Sequence, residues 1–150
     1  MLSGKLINLI ETHRDDITRR VLEQVRRDPE TAHFRRLLDS ELRESLQSLL
    51  QNLGHWLGTG NATELARRYE MMGRLRYEQE VPLHECARAL CIVREKILDY
   101  VEEQIISNSS VELYAEEELE RRLGRFFDLL LIHLVRGYEH TLRHSMALTA

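Results

Sequence analysis

The segment from Phe126 to Tyr138 constrains the fold most, because it is the densest apolar run in the chain. It lies inside the longest uninterrupted helical pattern, which extends from about Val111 to Arg143, or about 50 Å at 1.5 Å per residue. Its apolar residues surround much of the helix, so we expect them to contact at least two other helices. The core must therefore be built against this last helix.

Four other helical patterns precede it, and no segment has the alternation typical of a strand. They extend from about Leu2 to Arg26, from Asp39 to the glycine-rich stop at Gly58-Thr59-Gly60, from Asn61 to the break at Val81-Pro82, and from Leu83 to Ile105. The piece from Thr31 to Leu38 fits either a separate short helix or the start of the next one. Short connections predict an all-α antiparallel bundle of five to six helices with a long C-terminal helix.

Several expected helix ends have the chemistry of helix caps. Asp28 is suited to cap a helix that has Pro29 at its first position. The glycines around Thr59 permit a left-handed residue at a helix C-terminus. Two further pairs have the spacing of capping boxes, namely Asn61 with Glu64 and Ser109 with Glu112.

The length and composition favour one folded domain. A chain of 150 residues is long enough for a single core and short for two, so we expect residues 1–150 to form one helical domain. It is 43% hydrophobic and 31% charged, which suits a folded protein. The formal net charge of −4 gives no general attraction to nucleic acid or acidic lipid. We therefore expect neither as a partner.

The sequence also favours a cytoplasmic location. The apolar run is shorter than the roughly 20 residues of a membrane span, and Asp128, His133 and Arg136 interrupt it. The N-terminus lacks the features of a signal peptide. Cys86 and Cys91 lie about 140° apart around one helix and cannot form a disulfide with each other. A reducing compartment is therefore expected.

Metal and haem sites have only weak support. His133, His140 and His144 share the last helix and form the best metal candidate, but the sequence fixes no acidic partner for them. A metal-dependent enzyme that uses this face remains an alternative hypothesis. A haem sensor is another, since His13, His84 and His133 lie on or near apolar faces. We expect no metal and no cofactor, because isolated histidines are more often structural.

Catalytic motifs are absent from the sequence. Cys86 and His84 are two positions apart on a helix, so their side chains point in different directions. The chain contains no nucleophile elbow, no glycine-rich phosphate loop and no Cys-x-x-Cys motif. We therefore assign no catalytic residue and expect a protein that is not an enzyme.

Two arginines form the most specific candidate for ligand binding. Arg76 falls on the same helix face as Tyr69, and Arg94 flanks the apolar stripe of the next helix. If both guanidinium groups converge inside the bundle beside Tyr69 or Tyr77, they are suited to bind a small anion or carboxylate. The alternative is that each arginine pairs with an acidic residue and extends toward water.

One part of the sequence resembles a known family. The segment from Arg68 to Arg94 contains an arginine, a break before Val81-Pro82-Leu83, then Ala89-Leu90 and a second arginine. Together with Asp39–Leu46, it resembles the N-terminal sensor domain of the RsbR/RsbRD-type co-antagonists of the bacterial stressosome. Related domains precede histidine kinases. The chain departs from the pattern at Glu80, where the family often has glycine.

The resemblance implies a small helical input domain, with some relatives globin-like without haem, that usually forms a homodimer. Such domains pass a signal through the C-terminal helix to an attached or partner output protein, and the family has no catalytic residues to transfer. Our hypothesis is therefore a non-catalytic signal-input domain that acts through helix packing and dimer contacts. The last helix supplies the expected dimer and transmission residues, namely Phe127, Leu130, Leu134 and Tyr138.

Overall fold

A computed structural model describes residues 3–58, 62–105 and 110–149, which contain helices and no strand. This confirms the all-α prediction and the long last helix. Within these ranges, no helix is both long enough and apolar enough to span a membrane. The elements are α1 (Gly4–Thr12), α2 (Arg14–Arg27), a 3-10 helix (Pro29–Arg36), α3 (Asp39–Gln51), α4 (Leu53–Leu57), α5 (Ala62–Glu78), α6 (Leu83–Gln104) and α7 (Ser110–Thr149).

Two helices that were predicted to be continuous are broken. The first pattern divides at His13, whose backbone has φ −104° and ψ 27°. The pattern after Asp39 divides at Asn52, with φ −119° and ψ 32°. Apolar residues keep their helical spacing across both breaks, and Leu50 and Leu53 are fully buried on either side of Asn52. The periodicity therefore could not reveal these breaks.

The segment after α2 forms a separate 3-10 helix, which resolves the ambiguity about Thr31 to Leu38. Its predicted cap is confirmed, because a carboxylate oxygen of Asp28 accepts a hydrogen bond from the Glu30 amide at 2.9 Å. The same carboxylate accepts from Arg88 of α6 at 3.1 Å. Asp28 thus fixes the direction of the chain and also attaches it to α6.

Some predicted helix ends lie outside the described residues. These include both capping boxes, because Asn61 and Ser109 are not described, and Thr59-Gly60 of the glycine-rich stop. Gly58 has an extended backbone with φ −74°, so α4 ends there without a left-handed residue at that position. The last helix exceeds its predicted range and contains 40 residues, about 60 Å at 1.5 Å per residue.

Helix α7 forms the centre of the core, as the apolar run predicted. Leu119, Leu123 and Leu130 are fully buried, and Phe126 packs edge-to-face on Phe127 with ring centroids 5.6 Å apart. The most extensive contact of α7 is with α5, and α6 packs against it as well. The second helix, α2, contacts α3, α6 and the 3-10 helix on the other side of the core.

Two glycines permit the close contact between α5 and α7. A Cβ atom added to Gly73 would lie 2.0 Å from the Leu134 carbonyl oxygen, and one added to Gly137 would lie 2.0 Å from the Glu70 carbonyl oxygen. Both obstacles are backbone atoms, which cannot turn aside like a flexible side chain. The two backbones therefore touch without an intervening side chain, and each glycine faces the partner helix.

The turn between α5 and α6 contains a strained residue. Glu80 has φ 60°, in the left-handed region that favours glycine. The Glu80 amide donates to the Tyr77 carbonyl at 2.9 Å, and the Val81 amide donates to the Arg76 carbonyl at 3.0 Å. These two bonds form a Schellman motif, and Glu80 occupies the position where glycine is usual.

We expect Gly73→Ala and Gly137→Ala each to destabilise the protein by about 1–3 kcal/mol, because the added methyl group collides with the partner backbone. Gly124→Ala in the same helix is the control. A Cβ there meets nothing within 4 Å, so this change should stabilise by about 0.5–1 kcal/mol. Urea unfolding followed by circular dichroism measures all three. Equal effects at the three positions would contradict the close backbone contact.

We expect Glu80→Gly to raise the free energy of unfolding by about 0.5–1 kcal/mol, because glycine relieves the left-handed strain at a modest entropy cost. The matched control is Glu117→Gly at an exposed position inside α7. This change should lower the free energy of unfolding by about 1 kcal/mol. Thermal and urea unfolding measure both. A loss of stability in Glu80→Gly similar to that of the control would refute the assigned conformation.

Candidate functional site

Arg76 is a charged side chain in the interior, with only 5% of its surface exposed. Its Nη1 atom donates to Glu41 of α3 at 3.1 Å and to Gln79 at 2.7 Å. Gln79 in turn donates to the same Glu41 oxygen at 3.1 Å, so the three side chains form a closed triangle. The guanidinium carbon lies 5.5 Å from the centre of the Phe34 ring. Arg76 thus joins α5 to α3 and to the 3-10 helix.

A small apolar cavity lies beside this arginine. Its volume is about 90 Å³, and Arg76 is the charged residue of its wall. The rest of the wall is mostly aliphatic and comes from α2, α3, α5 and α6, with Phe34 from the 3-10 helix and Leu134 from α7. Val25, Leu46 and Leu90 are typical members. The cavity therefore presents one fixed positive charge at the edge of an apolar space.

A surface groove adjoins the cavity. It has a volume of about 670 Å³ and follows α5 from Leu65 to Glu78, about 20 Å at 1.5 Å per residue. The groove and the cavity share part of their walls, including Tyr69, Met72 and Arg76. Arg76 therefore lies where the buried space meets the surface.

The four predicted ligand-binding residues do not all lie at this site. Tyr69 lines both the cavity and the groove, and burial raises the pKa of its phenol. Tyr77 lies elsewhere, edge-to-face with Tyr138 at a centroid distance of 5.4 Å. Arg94 is partly exposed and lines neither space. Arg94 therefore does not join Arg76 at the cavity or the groove, and its neighbour Val93 on α6 lines the cavity instead.

Glu41, Gln79 and Phe34 were missed by the sequence analysis. Glu41 lies in the first turn of α3, where an acidic residue is expected simply because it complements the helix dipole. Gln79 and Phe34 carry no pattern that links them to Arg76. A weak signal was Arg76 itself, since a positive charge on an apolar helix face requires a partner.

The histidines of α7 do not come together as a metal site. His133 contacts Glu70 of α5 through Nδ1 at 2.8 Å and is mostly buried, whereas His140 and His144 are exposed. Within the described ranges, no group of three His, Cys, Asp or Glu side chains is arranged to hold a metal ion. The three haem candidates His13, His84 and His133 also lie outside the wall of the cavity.

Cys86 lines the cavity but is poorly suited to be a nucleophile. Burial raises the pKa of its thiol to about 11. At neutral pH the side chain is therefore almost entirely the unreactive thiol. Its contribution to the cavity is an apolar surface.

Three of the four predicted dimer and transmission residues lie in the interior, and Tyr138 is partly buried. Phe127, Leu130 and Leu134 are each less than 5% exposed, and the Tyr138 hydroxyl donates to the Val81 carbonyl at 2.8 Å. In this arrangement Phe127, Leu130 and Leu134 cannot contact a second copy directly, because they are buried in the core. Their predicted role in transmission does not require exposure and stays a prediction.

Comparison with known proteins gives one family match. The model of the family described as "RsbT co-antagonist protein rsbRD N-terminal domain" matches residues 15–149, which is most of the chain. No curated protein and no solved structure shows significant similarity to the chain.

We expect Tyr138→Phe to lower the free energy of unfolding by about 1 kcal/mol, because it leaves the part-buried Val81 carbonyl without its hydrogen bond. Tyr114→Phe is the control, since Tyr114 is 62% exposed on the same helix. Urea unfolding compares the two variants. Equal stability of both variants and the wild type would show that this bond does not hold α7 to the turn after α5.

Proposed function

We propose that this chain, which belongs to the RsbT co-antagonist rsbRD N-terminal domain family, is a non-catalytic signal-input domain that regulates an output protein. The output is either attached to the chain or a separate partner, and the family description makes an RsbT-type protein the first candidate. We place the protein in the cytoplasm as one domain over residues 1–150. Family membership carries this proposal, and the positions of α5 and α7 supply a mechanism for it.

Helix α5 has one face on the candidate site and another on α7. Tyr69 and Arg76 face the cavity and groove, whereas Gly73 lies against the backbone of α7. Because no side chain separates the two helices there, a shift of α5 cannot be absorbed by a change of rotamer. A change in the packing around α5 is therefore passed directly to α7, which biases a two-state arrangement.

The end of α7 is the proposed output surface. Three apolar residues are exposed there, with Leu142 at 38%, Met146 at 62% and Leu148 at 75%. Leu142 and Met146 are four residues apart and share a helix face. We propose that this face contacts a second copy or the output protein. The buried residues Phe127, Leu130 and Leu134 and the partly buried Tyr138 would carry the movement to it.

We expect the double variant Leu142→Glu/Met146→Glu to lose self-association and regulation of the output protein while it stays folded. The reason is that both positions are exposed, so charge there disrupts intermolecular contacts and leaves the core intact. Sedimentation measures self-association, and co-purification with the output protein measures the partner contact. A truncation after Tyr138 should behave in the same way.

Ala147→Glu is the control, since Ala147 is also exposed on this segment and gains one negative charge where the double variant gains two. It should retain both properties. If the double variant and the truncation keep self-association and regulation, the proposed role of the helix end is wrong.

A further inference from the structure

We propose that the cavity and groove beside Arg76 bind an amphiphilic carboxylate, with its anionic head on Arg76 and its aliphatic tail in the cavity. The assignment of the site is inferred from the geometry of these residues. The statement that its ligand is the input signal rests on the function proposed above and deepens it.

The guanidinium of Arg76 supplies the head-group site. Its two hydrogen bonds, to Glu41 and Gln79, are both donated by Nη1. Within the described part of the chain, Nε and Nη2 donate to no acceptor, and these two atoms form the edge that binds a carboxylate through parallel bonds. The site is largely shielded from water, which strengthens a charge-assisted hydrogen bond. The contact with the Phe34 ring keeps the guanidinium plane in place.

Glu41 competes with a ligand carboxylate for the positive charge of Arg76. Its side chain is 36% exposed, whereas that of Arg76 is 6% exposed. A carboxylate bound on the Nε–Nη2 edge can therefore take over from Glu41 as the negative partner of Arg76, so that Glu41 leaves Nη1 and returns to water while the buried arginine stays neutralised. The exchange conserves the charge of the interior and avoids the cost of an unpaired buried cation. The loss of the Glu41 contact also releases α3 from α5. This is a change in the packing around α5 of the kind that the proposed signalling mechanism requires.

The cavity defines the tail. Its volume of about 90 Å³ is below the roughly 150 Å³ of an engineered cavity that holds benzene, so a short aliphatic chain fits better than a ring. Longer chains can continue into the groove, where the apolar side chains of Met71 and Leu75 are exposed. The methionine side chain is also flexible enough to adapt to a ligand. The probe of choice is therefore hexanoate, with acetate, butyrate and octanoate as its series.

Calorimetric titration of the full chain tests the site. We expect acetate to show no measurable binding and the affinity to rise about fourfold per methylene from butyrate to hexanoate. Arg76→Lys, which keeps the charge but loses the bidentate edge, should weaken hexanoate binding about tenfold. Arg143→Gln is the control, because Arg143 is 80% exposed on α7 and should leave binding unchanged.

Two more variants separate a ligand site from a structural ion pair. Glu41→Gln should bind hexanoate about threefold to tenfold more tightly than the wild type, because the competing charge is gone. A purely structural Arg76 predicts no gain in that variant. Ala89→Leu fills the cavity from α6 and should abolish the dependence of affinity on chain length.

Three results would overturn the proposal. The first is a folded wild-type protein that does not bind hexanoate at millimolar concentration. The second is inorganic phosphate or acetate binding as tightly as hexanoate, which would indicate a simple anion site. The third is unchanged binding in both Arg76→Lys and Glu41→Gln.

The site and the proposed function can fail separately. If hexanoate binds as expected but alters neither self-association nor output regulation, the site holds and its role as the input is refuted. If the Leu142→Glu/Met146→Glu variant loses regulation while no carboxylate binds, the proposed function holds and the ligand assignment is refuted.

Discussion

The arrangement of this bundle depends on the contact between the backbones of α5 and α7. Gly73 and Gly137 each face a carbonyl group of the opposite helix, so any side chain at either position would push the helices apart. The small spacing lets residues on both sides of the crossing meet, including His133 with Glu70 and Tyr138 with Val81. The two helices therefore form one closely packed pair, against which the rest of the core is arranged.

The second constraint is the charge of Arg76 inside an apolar wall. A buried guanidinium is tolerated only with a negative partner and further hydrogen bonds, since its desolvation otherwise costs several kcal/mol. Glu41 and Gln79 meet this requirement from α3 and from the end of α5. Glu41 and Arg76 both line the groove, so the triangle lies at the site and also joins the α5–α7 pair to α3. The state of Arg76 is thereby coupled to the position of α3.

The sequence predicted the features that depend on local chemistry. The 3.6-residue spacing predicted the all-α class and the central place of the last helix in the core. Asp28 was recognised as a helix cap because its role depends only on its neighbours in the chain. The break at Asn52 was not predictable, since the leucines on either side keep their spacing. The Glu41–Arg76 pair joins positions 35 residues apart. The sequence left open whether Arg94 faces the interior, and in the structure Val93, about 100° away around α6, lines the cavity.

Helices α5 and α6 differ in how firmly they are attached to the rest of the bundle. This difference explains why ligand binding at the site would shift α5 rather than α6. Helix α6 is anchored on the other side of the core, where buried Glu85 accepts the His33 amide at 2.8 Å and Arg88 contacts Asp28. On its groove side, α5 is linked to α3 within the described residues by more exposed polar groups: Arg76 to Glu41, Gln79 to Glu41, and Arg68 to Ser48. The Glu41 and Arg68 side chains are 36% and 51% exposed, so their bonds exchange with water or a ligand more readily than those of buried Glu85 and Asp28. In the proposed mechanism, a change at Arg76 would therefore move the α5–α7 pair relative to α3 and leave the α2–α6 contacts in place.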